Sequence, residues 1–243
     1  MRYVGGKKSI ARDIIYTIER YRHSRSIWIE PFVGGGAVLN VATKYYPRCY
    51  AYDLHPDLIL MYRALQTGWQ PPTNVSEDEY QQLRHAEPSA LRGFVGFGCS
   101  YGGKWFGGYA RGDGRIHHDE SRRSLARMKI NTTTFKQSSF FAIDWSQFNP
   151  HDCAIYCDPP YANTTGYSVG DFDHTAFWQQ CEHLHDLGFL IAVSEYNAPK
   201  SWPCIWHKEV PLSLRGGTTR PTRLDRLFMP SLVSTPYYME LSQ

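Results

Sequence analysis

Apolar and polar positions alternate along this chain with two different periods. Ile10, Ile14, Ile15 and Ile18 fall on one side of a helix predicted over residues 8–23. The apolar stretch at residues 26–30 predicts a short buried strand ending in Glu30, and the turn Phe32-Val33-Gly34-Gly35-Gly36 follows it. Residues 37–45 then read as a helix, residues 48–53 as a second strand ending in Asp53, and residues 56–66 as a second helix. Strand, glycine turn, helix, strand, acid, helix is the order of a doubly wound α/β sheet. Strand signals return from Phe135, with a buried run at residues 153–157, a helix at 175–187 and a strand at 189–193. Gly216-Gly217 marks a hairpin tip in the tail.

The middle of the chain breaks this rhythm. Residues 68–88 are polar and contain proline, with a short helix near 78–85, and residues 93–114 are rich in glycine and aromatics. Residues 121–129 predict a basic helix. Residues 62–137 therefore read as an insertion into an α/β domain formed by 1–61 and 138–243. Length agrees, because 243 residues suit one large domain carrying an insertion.

Composition excludes several classes. A hydrophobic content of 42% with mean hydropathy −0.46 is globular, and no apolar run reaches the roughly 20 residues a membrane helix needs. The N-terminal residues lack the apolar core of a signal peptide, so a cytoplasmic protein is expected. The six cysteines form no C-x-x-C pair and the ten histidines no metal-ligand spacing, so no metal is expected. Net charge is only +3, yet residues 92–136 hold nine basic against three acidic side chains. Such a surface suits phosphate, or simply solvent.

Candidate chemistry lies at the ends of the predicted strands. Asp158-Pro159-Pro160-Tyr161 follows the buried run 153–157. Proline has no N–H and a fixed φ, so the run offers a carboxylate, unpaired carbonyls and an aromatic face. A planar amino group on a heteroaromatic ring needs those groups. The turn Glu30-Pro31-Phe32-Val33-Gly34-Gly35-Gly36 permits close backbone approach, and Asp53 stands where nucleotide sites place a ribose-binding acid. Tyr3-Val4-Gly5-Gly6-Lys7 precedes the first helix, where backbone N–H groups and a lysine can hold a carboxylate.

In this order, the motifs resemble the Dam-type DNA adenine-N6 methyltransferases, the alpha-group D12 class, over nearly the whole chain. The resemblance implies a Rossmann-like S-adenosylmethionine-dependent methyltransferase fold with an inserted, mostly helical target-recognition region. It implies that Lys7 binds the methionine carboxylate, that Phe32, Gly34 and Gly36 shape the methionine and ribose pocket, and that Asp53 takes the ribose hydroxyls. Tyr3, Gly5, Gly6, Glu30 and Pro31 fall in the same cofactor motifs. Asp158, Pro159, Pro160 and Tyr161 would hold the target adenine, flipped from double-stranded DNA. Residues 97–109 resemble a diverged form of the family's aromatic, glycine-rich hairpin. Lys104, Tyr109, Arg111, Arg115, Arg122, Arg123 and Arg127 are the expected DNA contacts, and a monomer is expected.

The segments Val193-Ser194-Glu195-Tyr196 and Arg223-Leu224-Asp225-Arg226-Leu227 also fit the family. One place departs from it. Ser138-Ser139-Phe140-Phe141 stands where the family carries Asp-Phe against the cofactor's adenine. Phe140 is expected to keep the stacking role, and Ser139 to accept a hydrogen bond without charge assistance, weakening cofactor binding. Rival readings are the same chemistry on cytosine N4, RNA adenine or a glutamine amide, and a non-catalytic DNA-binding module.

Overall fold

Each central strand is buried along its whole length, and successive residues serve opposite faces of one sheet. The computed structural model describes residues 1–111, 114–161, 172–211 and 222–230, with the backbone alone at 114–117. The predicted hairpin tip at Gly216-Gly217 lies outside these residues. Strands β1 (Ile27–Glu30), β2 (Arg48–Asp53), β3 (Thr133–Gln137), β4 (Cys153–Cys157), β5 (Leu190–Glu195), β6 (Cys204–Pro211) and β7 (Thr222–Phe228) form a seven-stranded sheet in the order β3-β2-β1-β4-β5-β7-β6. Strands β3 through β5 pair in parallel, while β7 runs antiparallel to both neighbours.

Alternation divides the core in two. Trp28, Ala154, Tyr156 and Ala192 face one cluster, and Ile27, Ile29, Cys153, Ile155 and Cys157 the other. The first includes Ile10, Ile14, Ile15 and Ile18, from or flanking helix α1 (Ala11–Glu19), with residues of α2 (Leu39–Ala42) and α3 (Pro56–Gln66). The second takes Phe177, Cys181 and Leu184 of helix α7 (His174–Asp186). Cys153 and Cys157 are small buried packing residues, as expected. This is a doubly wound, Rossmann-like α/β fold.

The segment between α3 and β3 holds α4 (Glu77–Arg84), α5 (Ala90–Gly93), a π-helical turn (Phe94–Gly98) and α6 (Gly114–Ala126). A reciprocal Ser76–Glu79 capping box starts α4. On α6, His118, Ser121 and Leu125 are buried at helical spacing. Two sequence boundaries shift. β3 lies inside the expected 62–137 insertion yet pairs with β2 from Cys49↔Thr133 to Asp53↔Gln137, so these residues are part of the sheet. Helix α3 likewise crosses residue 61, because its Pro56 start and apolar face make it the crossover helix after β2. The insertion also shares the first core cluster, through Val75, Tyr80, Phe94, Phe97, Phe106 and Leu125.

The chain enters the sheet at β1, winds outward to β3, and returns through β4 on the other side of β1. The crevice where the winding reverses therefore opens at the carboxyl ends of β1 and β4. Glu30 ends β1, Asp53 ends β2, and Asp158 follows β4.

Candidate active site

Three carboxylates meet at this reversal, each in a different setting. Glu30 is 2% exposed and accepts a hydrogen bond from Trp28 Nε1 at 3.1 Å. Burial pushes its pKa well up, and the neighbouring Asp158 and Asp53 push the same way. Asp53 accepts from the backbone N–H of Gly34 and of His55, each at 2.9 Å. Burial raises its pKa to about 6, against the pull of those N–H groups. Asp158 keeps 21% of its side chain exposed, and both of its oxygens face Lys7. Burial raises its pKa, while Lys7 and the Tyr161 hydroxyl pull it down.

Lys7 is 4% exposed. Its Nζ donates to Asp158 Oδ1 at 2.7 Å, to Oδ2 at 2.9 Å and to the Gly5 carbonyl at 3.1 Å. It also lies 4.7 Å from the centroid of the Tyr161 ring. Gly6 N–H turns back onto the Tyr3 carbonyl at 3.0 Å, which draws residues 3–7 into the tight turn that aims Lys7 inward. Tyr161 meets Tyr196 edge-on at 4.7 Å. Pro159 is buried and Pro160 half-buried behind it.

Gly34 and Gly36 adopt φ of 44° and 67°, where a side chain is strained. A Cβ on Gly34 would stand 2.8 Å from the Tyr3 ring, and one on Gly36 would stand 2.8 Å from the Tyr62 hydroxyl. Tyr62 in turn donates to the Gly34 carbonyl at 2.7 Å. The turn is thus clasped by Tyr3 from one side and Tyr62 from another. Pro31 is buried. Phe32 stacks on Phe140 at 5.7 Å and meets Phe172 and Phe177 edge-on. Phe140 is only 1% exposed and serves the core, whereas Phe141 beside it is 46% exposed. Ser139 is half-buried and extended, and heads the 3-10 turn Phe140–Ala142. Ser138 N–H donates to the Asp53 carbonyl at 3.1 Å, which ties this turn to the end of β2.

Residues without an assigned role in the sequence also arrive here. Glu195, at the end of β5, is 2% exposed, and Asp225 on β7 is 1% exposed. Burial raises the Tyr161 pKa, both acids push the same way, and Asp225 also acts on Asp158. Asp225 is held by Arg223 at 3.0 Å. Their sequence segments were visible, but their approach to Tyr161 depends on β7 entering the sheet beside β5. Tyr62 carried no such signal.

The basic insertion residues have separate fates. Tyr109 donates its hydroxyl to the Val75 carbonyl at 2.6 Å and packs on Tyr80 and His118. Arg111 Nε donates to Glu77 at 2.8 Å. Arg122 and Arg123 share Asp119. Lys104 and Arg127 are exposed, and the Arg115 side chain lies outside the described residues. Lys8, Asn40, Glu120, Arg123, Ser124 and Arg127 line a groove of about 440 Å³. Among the described residues no helix is long and apolar enough to cross a membrane, and no three His, Cys, Asp or Glu could hold a metal.

A doubly wound sheet that presents an acid-Pro-Pro-Tyr edge and a clasped glycine turn at its reversal point is the arrangement expected of a methyltransferase of exocyclic amino groups. The D12 class N6 adenine-specific DNA methyltransferase family model matches residues 3–89 and 104–197, and the chain belongs to that family. It is 29% identical over 211 residues to a DNA adenine methylase of Vibrio cholerae, covering 71% of this chain and 70% of that protein. A DNA adenine methylase of Haemophilus influenzae is 25% identical over 205 residues, covering 71% and 68%. An rRNA methylase structure from Streptococcus thermophilus covers 89% of this chain and 96% of its own, at 10% identity and TM-score 0.37. The chain is an adenine-specific DNA methyltransferase.

Proposed function

We propose that the crevice binds S-adenosylmethionine and that Asp158 receives an adenine flipped out of duplex DNA. The observation that carries this reading is Asp158 itself, a partly exposed acceptor carboxylate beside the Tyr161 ring at the reversal point of the sheet. The chain's residues fit the cofactor. Asp53 is fixed by two backbone N–H groups and retains lone pairs for ribose hydroxyls. Gly34 and Gly36 let the turn pack against Tyr3 and Tyr62 with its backbone free of side chains. Ser139 stands beside it as a neutral acceptor for the adenine moiety. Bound there, S-adenosylmethionine supplies an electrophilic methyl group.

The amino nitrogen of adenine is a poor nucleophile because its lone pair is spread into the ring. Positive charge grows on that nitrogen as it attacks. Asp158 and a proline carbonyl accept its two N–H bonds, and a fixed carboxylate there stabilises the charge without solvent reorganisation. Tyr161 supplies a stacking face. Flipping costs a few kcal/mol in lost stacking, which this face and phosphate contacts of the insertion offset. Lys104, Arg115, Arg122, Arg123 and Arg127 are the candidates for those contacts. Tyr109 and Arg111 act within the insertion, where they hold it to α4 and its approach.

Incubation with duplex DNA and methyl-labelled S-adenosylmethionine, followed by nucleoside analysis, tests the reading. Label in N6-methyldeoxyadenosine is expected. Label in N4-methylcytosine would reassign the acceptor, and DNA binding without cofactor binding would leave a non-catalytic module.

A further inference from the structure

We infer that Lys7 is a positioning residue for Asp158, holding the acceptor carboxylate ionised and in one orientation, and that it does not grip the cofactor's carboxylate. The inference deepens the proposed methyl transfer, and its kinetic consequence rests on that reading. A lysine ammonium has three donors. Here two go to the two oxygens of Asp158 and one to the Gly5 carbonyl, at 2.7, 2.9 and 3.1 Å. The Tyr161 ring stands over the same nitrogen at 4.7 Å. An additional carboxylate would have to displace one of these contacts, inside a pocket that leaves Lys7 only 4% exposed.

The surroundings of Asp158 explain why such a partner is needed. Asp225 from β7 brings negative charge toward it, while Glu30 from β1, with Asp53 near it, faces the same enclosure with its own carboxyl pushed by burial toward the neutral form. Among the described residues, Tyr156 and Cys157 from β4, Tyr161 from its own loop and Glu195 from β5 are further titratable groups of this enclosure. Arg223 is engaged with Asp225. A carboxylate desolvated among acids and aromatics takes up a proton unless a cation offsets the loss of water. Protonated, Asp158 would present an O–H to the amino group and lose the charge that stabilises the transition state.

The 151-residue separation between Lys7 and Asp158 also gives the N-terminal turn a mechanical role. Residues 3–7 lie across the glycine turn, since Tyr3 covers Gly34. The contact that shapes the cofactor side therefore also sets the acceptor carboxylate.

The test is the titration of Asp158, followed by NMR in full-length protein labelled with ¹³C at aspartate carboxyls, with Asp158→Asn assigning the resonance. In Lys7→Met the midpoint is expected to rise by roughly one unit or more relative to wild type. Lys7→Gln, which keeps a donor but no charge, gives the same rise and serves if Lys7→Met does not fold. In methyl transfer, the acid limb of kcat moves up with the midpoint. The rate is lower on the acid side and recovers as pH is raised, while Lys7→Arg keeps the wild-type limb. An unmoved Asp158 midpoint overturns the inference. So does a loss of roughly tenfold or more in S-adenosylmethionine affinity with an unmoved acid limb, which would return Lys7 to the cofactor. The titration needs no turnover, so an enzyme inactive on DNA would sink the functional reading without deciding this one.

Discussion

The ends of the central strands and the inserted segment are both rich in charge, but they use it in opposite ways. At the strand ends, acids are enclosed and each is met by a fixed donor: Asp53 by two backbone N–H groups, Glu30 by Trp28, Asp158 by Lys7. In the insertion, cations outnumber acids, yet many are spent inside the protein. Arg92 joins Asp57 at 2.9 Å, Arg111 joins Glu77, and Arg122 and Arg123 share Asp119. A buried acid with a fixed donor is a chemical site. An exposed cation with an acid beside it is only a fraction of a charge.

This contrast suggests experiments of decreasing size. Arg92 is the insertion's exception, because it partners an acid as enclosed as those at the strand ends. Asp57 is fully buried and also accepts from Ser89 N–H. Arg92→Ala should therefore lower stability by about 3–5 kcal/mol in urea unfolding. A loss below about 1 kcal/mol would place the pair with ordinary surface bridges.

Next comes pH. Asp53 is protonated below its pKa of about 6, and a protonated carboxyl accepts ribose hydroxyls less well. Cofactor affinity by calorimetry should be level above pH 6 and fall as pH drops through it, by up to about tenfold per unit. Affinity flat from pH 7 to 5 would remove Asp53 from the cofactor site.

The insertion's surface should yield a smaller effect. Replacing Arg122, Arg123 and Arg127 together with Ala should flatten the salt dependence of DNA binding, by less than the ~0.9 per cation expected of unpaired groups. Asp119 already offsets part of their charge. An unchanged slope would mean that this face meets water. Smallest is Ser139→Asp, which restores charge to one hydrogen bond and should tighten cofactor binding a few-fold. Weaker binding in that variant would contradict the role given to Ser139.

Much of the strand-end site was legible because its signals are local. Strand β2 and helix α3 occupy the residues the pattern predicts, since Asp53 ends one and Pro56 starts the other. The α1 pattern overran its helix: Ile10 adopts φ −126°, and His23 turns to φ 51° beyond the end. β3 was only partly visible, from Phe135, because an edge strand with burial on alternate residues only offers no continuous apolar run. Helix α6 starts earlier than its basic stretch suggested, since few of its residues are apolar. Lys7 meeting Asp158, and Asp225 approaching Tyr161, depend on strand order and left no local mark. Charge counting over residues 92–136 missed such pairing for the same reason, as partners such as Asp57 lie outside the segment counted.

The central claim is that the acceptor carboxylate after β4 drives methyl transfer to adenine. Single-turnover transfer from labelled S-adenosylmethionine to duplex DNA, measured for wild type and Asp158→Ala with cofactor binding followed by calorimetry, tests it most directly. The account predicts a rate lower by at least about a hundredfold with cofactor binding retained, the effect of removing a preorganised transition-state contact. Transfer at a near wild-type rate by Asp158→Ala would contradict it.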